Sequence, residues 1–161
     1  MKEIKLTQGQ ITQVDDEDYE YLNQWKWGLK RGRNTCYVIR SNKVKGKSII
    51  TRMHRVIMNN VKGMVIDHID HNGLNNQKSN LRVCTHKQNL MNKVARGKSK
   101  YLGVSYNNLG FIRARISVDL KEIHLGYFKT EEDAAKSRDI ASVKYFGDFA
   151  SLNFPTNNNE T

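Results

Sequence analysis

The stretch from Val65 to Asn89, VIDHIDHNGLNNQKSNLRVCTHKQN, decides how this chain is read. An acid and an imidazole, Asp67 and His68, stand side by side near its start. Asn80 lies in its middle and Asn89 closes it. Val65-Ile66-Asp67-His68 reads as a strand, Asn72 to Asn76 is turn-rich, and Leu81-Arg82-Val83-Cys84 reads as the return strand. Thr85 is placed to cap a short helix that carries Gln88 and Asn89. A hairpin followed by a helix turns Asn89 back toward Asp67. One carboxylate and one amide oxygen then suit a hard cation such as Mg²⁺, which takes one or two protein ligands and leaves the rest of its shell to water and phosphate. The His68 imidazole is of the right type to take a proton from water. Metal-assisted phosphodiester hydrolysis needs this set of groups.

The rest of the chain fits a polyanionic partner. Its 161 residues carry 27 Lys+Arg against 16 Asp+Glu, a net charge of +11, and a basic protein gains affinity for nucleic acid by counterion release. The charge is segregated. Gly28 to Ile66 holds ten basic residues and no acidic one, and Lys93 to Lys121 holds seven basic residues and the single acid Asp119. Asp15 to Glu20 and Glu131 to Asp139 are acid-rich. Cys36 and Cys84 form no C-x-x-C pair, which excludes a four-thiolate zinc site and fits a reducing compartment. The segment MKEIKLTQGQ has no apolar signal-like core, and no apolar run reaches membrane-spanning length.

Ahead of the decisive stretch, Ile4, Leu6, Ile11 and Val14 flank a Gln8-Gly9 turn and read as a hairpin. Acids at Asp15 to Asp18 favour a helix start, with the helix expected over Asp16 to Gln24. Trp25 and Trp27 alternate as on a strand. Cys36 to Arg40 and Ser48 to Ile50 read as strands around a basic turn, Lys43 to Lys47, and Met53 to Met58 as a short helix. Trp25, Trp27, Tyr37, Val38 and Ile39 are core candidates. His54 is read as a packed or phosphate-contacting residue. His71 and His86 are read as loop residues, and a zinc site made by them with His68 is disfavoured by the neighbouring hard oxygen donors.

The pattern D-H-I-D-x-N-x-x-N-N, then N-L-R, then Q-N, resembles an HNH homing-type endonuclease of bacteriophages and mobile introns. The resemblance covers about 25 residues. It implies that Asp67 and Asn89 bind one divalent metal, Mg²⁺ or alternatively Mn²⁺. His68 becomes the general base. Asn80, the other residue of the catalytic set, becomes a structural residue that pins the strands and closes the loop. Arg82 is a candidate phosphate contact or an exposed strand residue. Met53-His54-Arg55-Val56-Ile57 resembles the helix that precedes the motif in such enzymes. The family often has Gly after the second Asp, where this chain has His71.

Val94 to Lys100, VARGKSK, reads as a linker. Beyond it, strands are expected over Leu102 to Tyr106, Phe111 to Val118 and Lys121 to Tyr127. A helix follows from Thr130-Glu131-Glu132-Asp133 to about Phe146, ended by Gly147. Small residues on that helix, Ala134, Ser137 and Ala141, let it lie close to a sheet. Tyr101 to Ser105, Ile112 to Ile116, His124 to Phe128, Glu132 to Ala135 and Leu152 to Phe154 together resemble an AP2/ERF DNA-binding domain, over about Ser99 to Phe154. In that family the sheet lies in the major groove. Alternation sets Arg113 and Arg115 on one face and Ile112, Ala114 and Ile116 on the other. Tyr106, Lys121 and His124 are further candidate DNA contacts. Family members commonly carry Trp where Ile112 stands.

The expected fold is α+β. A ββα-metal HNH module over 1–94, with its motif at about 53–93, is followed by a linker at 95–100. A three-stranded antiparallel sheet plus one helix occupies 101–154, and a tail 155–161. The resemblances imply an endonuclease acting on double-stranded DNA in a bacterial host's cytoplasm, at the nucleoid, as a monomer or weak dimer with no membrane role. The alternatives are a sequence-specific DNA-binding regulator with an inactive nuclease fold, and a binder of structured RNA.

Overall fold

The computed structural model of the chain describes residues 1–32, 35–95 and 97–155. The expected tail at Asn157 to Thr161, and Arg96 of the expected linker, lie outside the described residues. The chain forms two compact units, Met1–His86 and Lys87–Thr161. The division falls before the expected linker because the segment after His86 is tied into the second unit. Lys87 pairs with Asp119 at 2.6 Å, and the Lys93 carbonyl accepts from Ser151 Oγ at 2.7 Å.

The first unit begins with an antiparallel hairpin of β1 (Lys2–Lys5) and β2 (Ile11–Val14). Its turn needs the left-handed backbone of Gly9, φ 88°. α1 (Asp16–Leu22) follows, with Asp16, Glu17 and Asp18 at its positive end. Trp25 and Trp27 lie between α1 and β3 (Gly28–Arg31), not on a strand. Their alternation comes from a helix exit. The fully buried Trp27 donates from Nε1 to the Leu22 carbonyl at 2.8 Å, satisfying a helix-end acceptor. Trp25 meets Tyr21 edge-on and carries the Arg40 guanidinium 4.0 Å from its ring centre.

β3 pairs with β4 (Cys36–Val44), and β4 with β5 (Lys47–Arg52), as an antiparallel three-stranded sheet. α2 (Met53–Ile57) leads to the hairpin β6 (Val65–His68) and β7 (Leu81–Cys84). Ile66 and Leu81 join Ile4, Val14, Leu22, Trp27 and Met53 in one apolar core. That core anchors one face of the hairpin.

α3 (His86–Asn89) crosses the division between the units in sequence. In the second unit β8 (Val104–Tyr106), β9 (Ile112–Val118) and β10 (Lys121–Phe128) form an antiparallel meander. α4 (Glu131–Phe146) begins with Thr130 Oγ1 accepting from the Asp133 amide, and ends at Gly147, φ 54°. Ala134 and Ala135 of α4 pack with Val104 and Ala114 of the sheet. The tail block is held by two-way bonding: Asn153 Oδ1 accepts from the Leu102 amide at 2.6 Å, and its Nδ2 donates to the Leu102 carbonyl. Asp139 accepts from the amides of Asn153 and Phe154. The buried Arg138 bonds Asp139 and the Ser151 carbonyl. The mixed α+β class read from sequence is the class observed.

Candidate active site and nucleic-acid face

The β6–β7 register places Asp67 opposite Arg82 and His68 opposite Leu81. Neighbours on a strand point to opposite faces, so Asp67 and His68 leave the hairpin on different sides. His68 turns inward with Ile66 and Leu81, and is 4% exposed. Asp67 shares the other face with Arg82 and Cys84. Arg82 forks onto Asp67 Oδ2 through Nε at 3.1 Å and an η nitrogen at 2.9 Å. Both side chains are largely buried, 15% and 11% exposed, which makes this a positioned charge-assisted pair rather than a loose surface contact. Arg82 is therefore not the exposed strand residue of one sequence reading.

The loop between the strands is closed by the buried Asn80. Its Oδ1 accepts from the Asp70 amide at 3.0 Å. Its Nδ2 donates to Asp70 Oδ1 and to the Asn75 carbonyl, both at 2.8 Å. Asp70 Oδ2 also accepts from Asn75 Nδ2 at 2.9 Å. His71, at the position where Gly is common, has φ 63°. That is the left-handed region Gly enters freely and His several-fold more readily than most residues.

The same loop is stitched to β2 and β4. The Gln13 amide donates to the Leu74 carbonyl at 2.9 Å and the Asn76 amide to the Gln13 carbonyl at 2.8 Å. Thr35 Oγ1 accepts from the Gly73 amide and donates to the His71 carbonyl. A Cβ on Gly73 would stand 1.7 Å from the Cys36 carbonyl oxygen, so only glycine fits.

Asn76 reads in sequence as a turn former, yet it is fully buried against His68. Thr12 Oγ1 donates to the Leu74 carbonyl at 2.7 Å. Its hydroxyl proton is thereby committed, and its oxygen accepts Asn76 Nδ2 at 2.9 Å. Asn76 Nδ2 also donates to the Gly73 carbonyl at 3.2 Å. The amide oxygen must then face the ring, 3.3 Å from His68 Nε2. An oxygen acceptor requires Nε2–H, which makes Nδ1 the unprotonated nitrogen of the neutral ring. Asn76 carries a faint sequence signal, the second residue of an Asn-Asn pair eight positions after His68. Thr12 carries none, because it belongs to a distant strand.

Burial lowers the His68 pKa against the opposing pull of the Asn76 bond and the Asp70 and Asp67 charges. It lowers His71 likewise. His54 is affected most, pushed from 6.5 to about 3 by burial first and then by His68, Arg52 and Arg55. Its ring lies 5.1 Å from that of His68, edge-on, and Tyr37 packs beside both. His54 Nδ1 has no hydrogen-bond partner among the described residues. His54 is thus a packed neutral histidine.

The divalent ion implied by the motif can be tested against the donors present. No group of three or more His, Cys, Asp and Glu able to hold a metal occurs among the described residues, the His68–His71–His86 set included. The nearby thiol, Cys84, has its pKa raised by burial and by Asp67, so it stays protonated and is a poor soft ligand. The hard donor on this face is the Asp67 carboxylate, an oxygen ligand of the type a divalent cation takes. Asn89 lies half-buried on α3, at the start of the second unit.

In the second unit Arg113 and Arg115 share a sheet face with Ser105, His124 and Tyr127. Arg113 Nε donates to Ser105 Oγ at 3.1 Å, and both arginines reach Glu122. His124 and Tyr127 lie ring to ring at 4.8 Å. Tyr106 and Lys121 lie on the opposite, helix-facing side: Tyr106 pairs with Ile112 and donates its hydroxyl to Glu131 at 2.9 Å, and Lys121 pairs with Val118 at the hairpin end. Tyr127, unremarked in sequence, joins the arginines because a bulge between His124 and Gly126 restores it to their face. No helix among the described residues is long and apolar enough to cross a membrane.

The class of protein that carries this strand–loop–strand motif comes from comparison with known proteins. The HNH endonuclease family profile matches residues 52–91. An uncharacterised HNH endonuclease of Acanthamoeba polyphaga mimivirus is 31% identical over 155 residues, spanning 90% of this chain and 75% of the relative. An AP2-like ethylene-responsive transcription factor of Arabidopsis thaliana is 42% identical over 66 residues, 39% of this chain and 12% of that protein. An APETALA2-like protein of Oryza sativa subsp. indica is 42% identical over 62 residues, 37% of this chain and 14% of that protein. The chain belongs to the HNH endonuclease family, and it is a nuclease with a partial, C-terminal likeness to AP2 proteins.

Proposed function

We propose that the protein is a divalent-metal-dependent endonuclease that hydrolyses phosphodiester bonds of duplex DNA, with the AP2-like unit holding the substrate. The observation that carries this reading is the oriented His68 within an intact D-H…N…N motif. His68 is neutral near pH 7 through burial, with Nε2–H directed at Asn76. Its Nδ1 accepts the proton of the attacking water. Asn80 acts through the loop, holding the Asp70 turn that follows His68. Arg82 orients the Asp67 carboxylate. Asp67 and Asn89 are the proposed metal residues, with Mg²⁺ the favoured ion. When bound, the ion supplies Lewis-acid stabilisation of charge developing at the phosphate and leaving oxygen. On the second unit Arg113, Arg115, His124 and Tyr127 form the proposed DNA face, its arginines exchanging Glu122 for phosphate or base edges. A tethered second site raises effective concentration, so each unit can bind weakly alone. The motif resemblance supports a homing-type role on a mobile genetic element in a bacterial host.

Conversion of supercoiled plasmid, with Mg²⁺ or Mn²⁺ and with EDTA, tests the reading. Nicked or linear product that requires the metal is expected, and its form separates nicking from double-strand cutting. Metal-independent product, or DNA binding with no product on any substrate, overturns it in favour of a DNA-binding regulator.

A further inference from the structure

The outer part of the β4–β5 ribbon, from Ser41 to Ile50, takes no part in the site described above, which β4 meets only through Cys36 and Tyr37 at its other end. Six cross-strand pairs run from Ile39↔Arg52 to Val44↔Lys47, a length of roughly 20 Å. Every residue from Ser41 to Ile50 is exposed. Val44, Ile49 and Ile50 are 49%, 50% and 44% exposed, so neither face of the outer ribbon is covered. β3 pairs with β4 only as far as Ile39, which leaves both edges beyond that point open.

The charge on this element is one-sided. Arg40, Lys43, Lys45, Lys47 and Arg52 lie on it, with no acid anywhere between Gly28 and Ile66. None of the three lysines is in an ion pair with a carboxylate among the described residues. Directly opposed residues share a face. Lys43 therefore stands on one face with Ser48 and Ile50, and Lys47 on the other with Val44 and Ile49. Lys45 sits at the tip with Gly46, φ 48° and 77°, the positive values a tight hairpin turn uses. Ser41 and Ser48 hydroxyls bond across the first face at 2.6 Å.

From this arrangement, and resting on the proposed DNA substrate, we propose that the β4–β5 ribbon enters the major groove of duplex DNA. The groove is about 12 Å wide and admits a two-stranded ribbon, whereas the minor groove at about 6 Å does not. A ribbon entering tip first turns its two faces to the two groove walls. Lys43 then meets phosphates of one strand and Lys47 those of the other, while Val44, Ile49 and Ile50 offer apolar contact to thymine methyls. The contrary reading is that the lysines only guard exposed strand edges against pairing with other chains. That reading gives them no share in DNA binding.

The test uses the full chain in EDTA, so that binding is read without cleavage. The variant combines Lys43→Gln, Lys45→Asn and Lys47→Gln; Asn-Gly is a favoured pair for this turn, so the ribbon is preserved. Fluorescence anisotropy on a DNA duplex across a salt series should show the slope of log K against log salt reduced by about 2–3, at roughly 0.9 per phosphate contact. Guanine N7 methylation protection, a major-groove signal, should be lost over part of the footprint. On duplex RNA, whose major groove is too narrow to enter, parent and variant should bind alike. An unchanged slope with unchanged N7 protection overturns the proposal, as does an equal loss on RNA. If the parent never cleaves with Mg²⁺ yet the slope falls as stated, the nuclease reading fails and the ribbon stands. If it cleaves but the slope does not move, the reverse holds.

Discussion

Asn76 Oδ1 stands 3.3 Å from His68 Nε2, and the Asn76 amide cannot turn over without losing Thr12. The chain Leu74 carbonyl, Thr12 hydroxyl, Asn76 amide, His68 ring has one consistent proton arrangement. The N-terminal hairpin thus sets which nitrogen of a histidine on a distant strand carries the proton.

Asn76→Ala should lower the cleavage rate by roughly 10–100-fold with little change in DNA affinity, because the ring loses its orienting acceptor. Thr12→Val should cost roughly 1–3 kcal/mol, leaving buried polar groups unsatisfied, and should release the amide. Nitrogen-15 NMR of His68 reads the result independently of activity. The parent should show the Nε2–H tautomer and both variants a mixture. A pure Nδ1–H signal in the parent would show the relay to be wrongly assigned.

Gly73→Ala has no room, since its Cβ would meet the Cys36 carbonyl oxygen at 1.7 Å. The loop must shift, and the cost should be at least about 2 kcal/mol in urea unfolding. Gly46→Ala meets no atom but has φ 77°, and should cost about 1 kcal/mol. Equal effects at the two positions would contradict the close packing of the loop on β4.

His54 makes stability depend on pH. Its folded pKa of about 3 lies below the ordinary 6.5, so between these values the unfolded chain binds a proton that the folded chain does not. Stability from this source is full above about pH 6.5 and falls as pH drops toward 3. The loss is on the order of a few kcal/mol. His54→Phe should flatten that part of a stability–pH curve measured by chemical denaturation. A curve with the same slope in the variant would place the titrating group elsewhere.

Glu122 holds both Arg113 and Arg115, and on the proposed DNA face it would have to release them to the substrate. Glu122→Gln should raise duplex affinity by roughly 3–10-fold, and Arg113→Ala should lower it, with a smaller salt slope. Equilibrium binding at fixed salt checks both. Weaker binding by Glu122→Gln would mean that the acid organises the face rather than masking it.

Much of this architecture is legible in the chain itself. Strands β6 and β7 follow from short strand-like runs on either side of an asparagine-rich turn, and α4 from a Thr-x-x-Asp start and a Gly stop. Other features depend on atoms far apart in sequence. Trp25 and Trp27 alternate because they wrap a helix end, and period-two spacing cannot tell this from a strand. The side taken by Tyr106 depends on pairing with Ile112, and the place of Tyr127 on a bulge. Asn76 reads as one of three turn asparagines, and only the approach of Thr12 from β2 separates it from Asn72 and Asn75. Arg82 opposite Asp67 follows from register, which alternation alone leaves open by two residues.

The most direct test is single-turnover cleavage of duplex DNA in Mg²⁺ by the parent and by His68→Ala, with binding measured in parallel. A general base contributes about 10²–10⁴-fold. His68→Ala should lose cleavage rate in that range at unchanged affinity. Cleavage within twofold of the parent would remove His68 from the reaction.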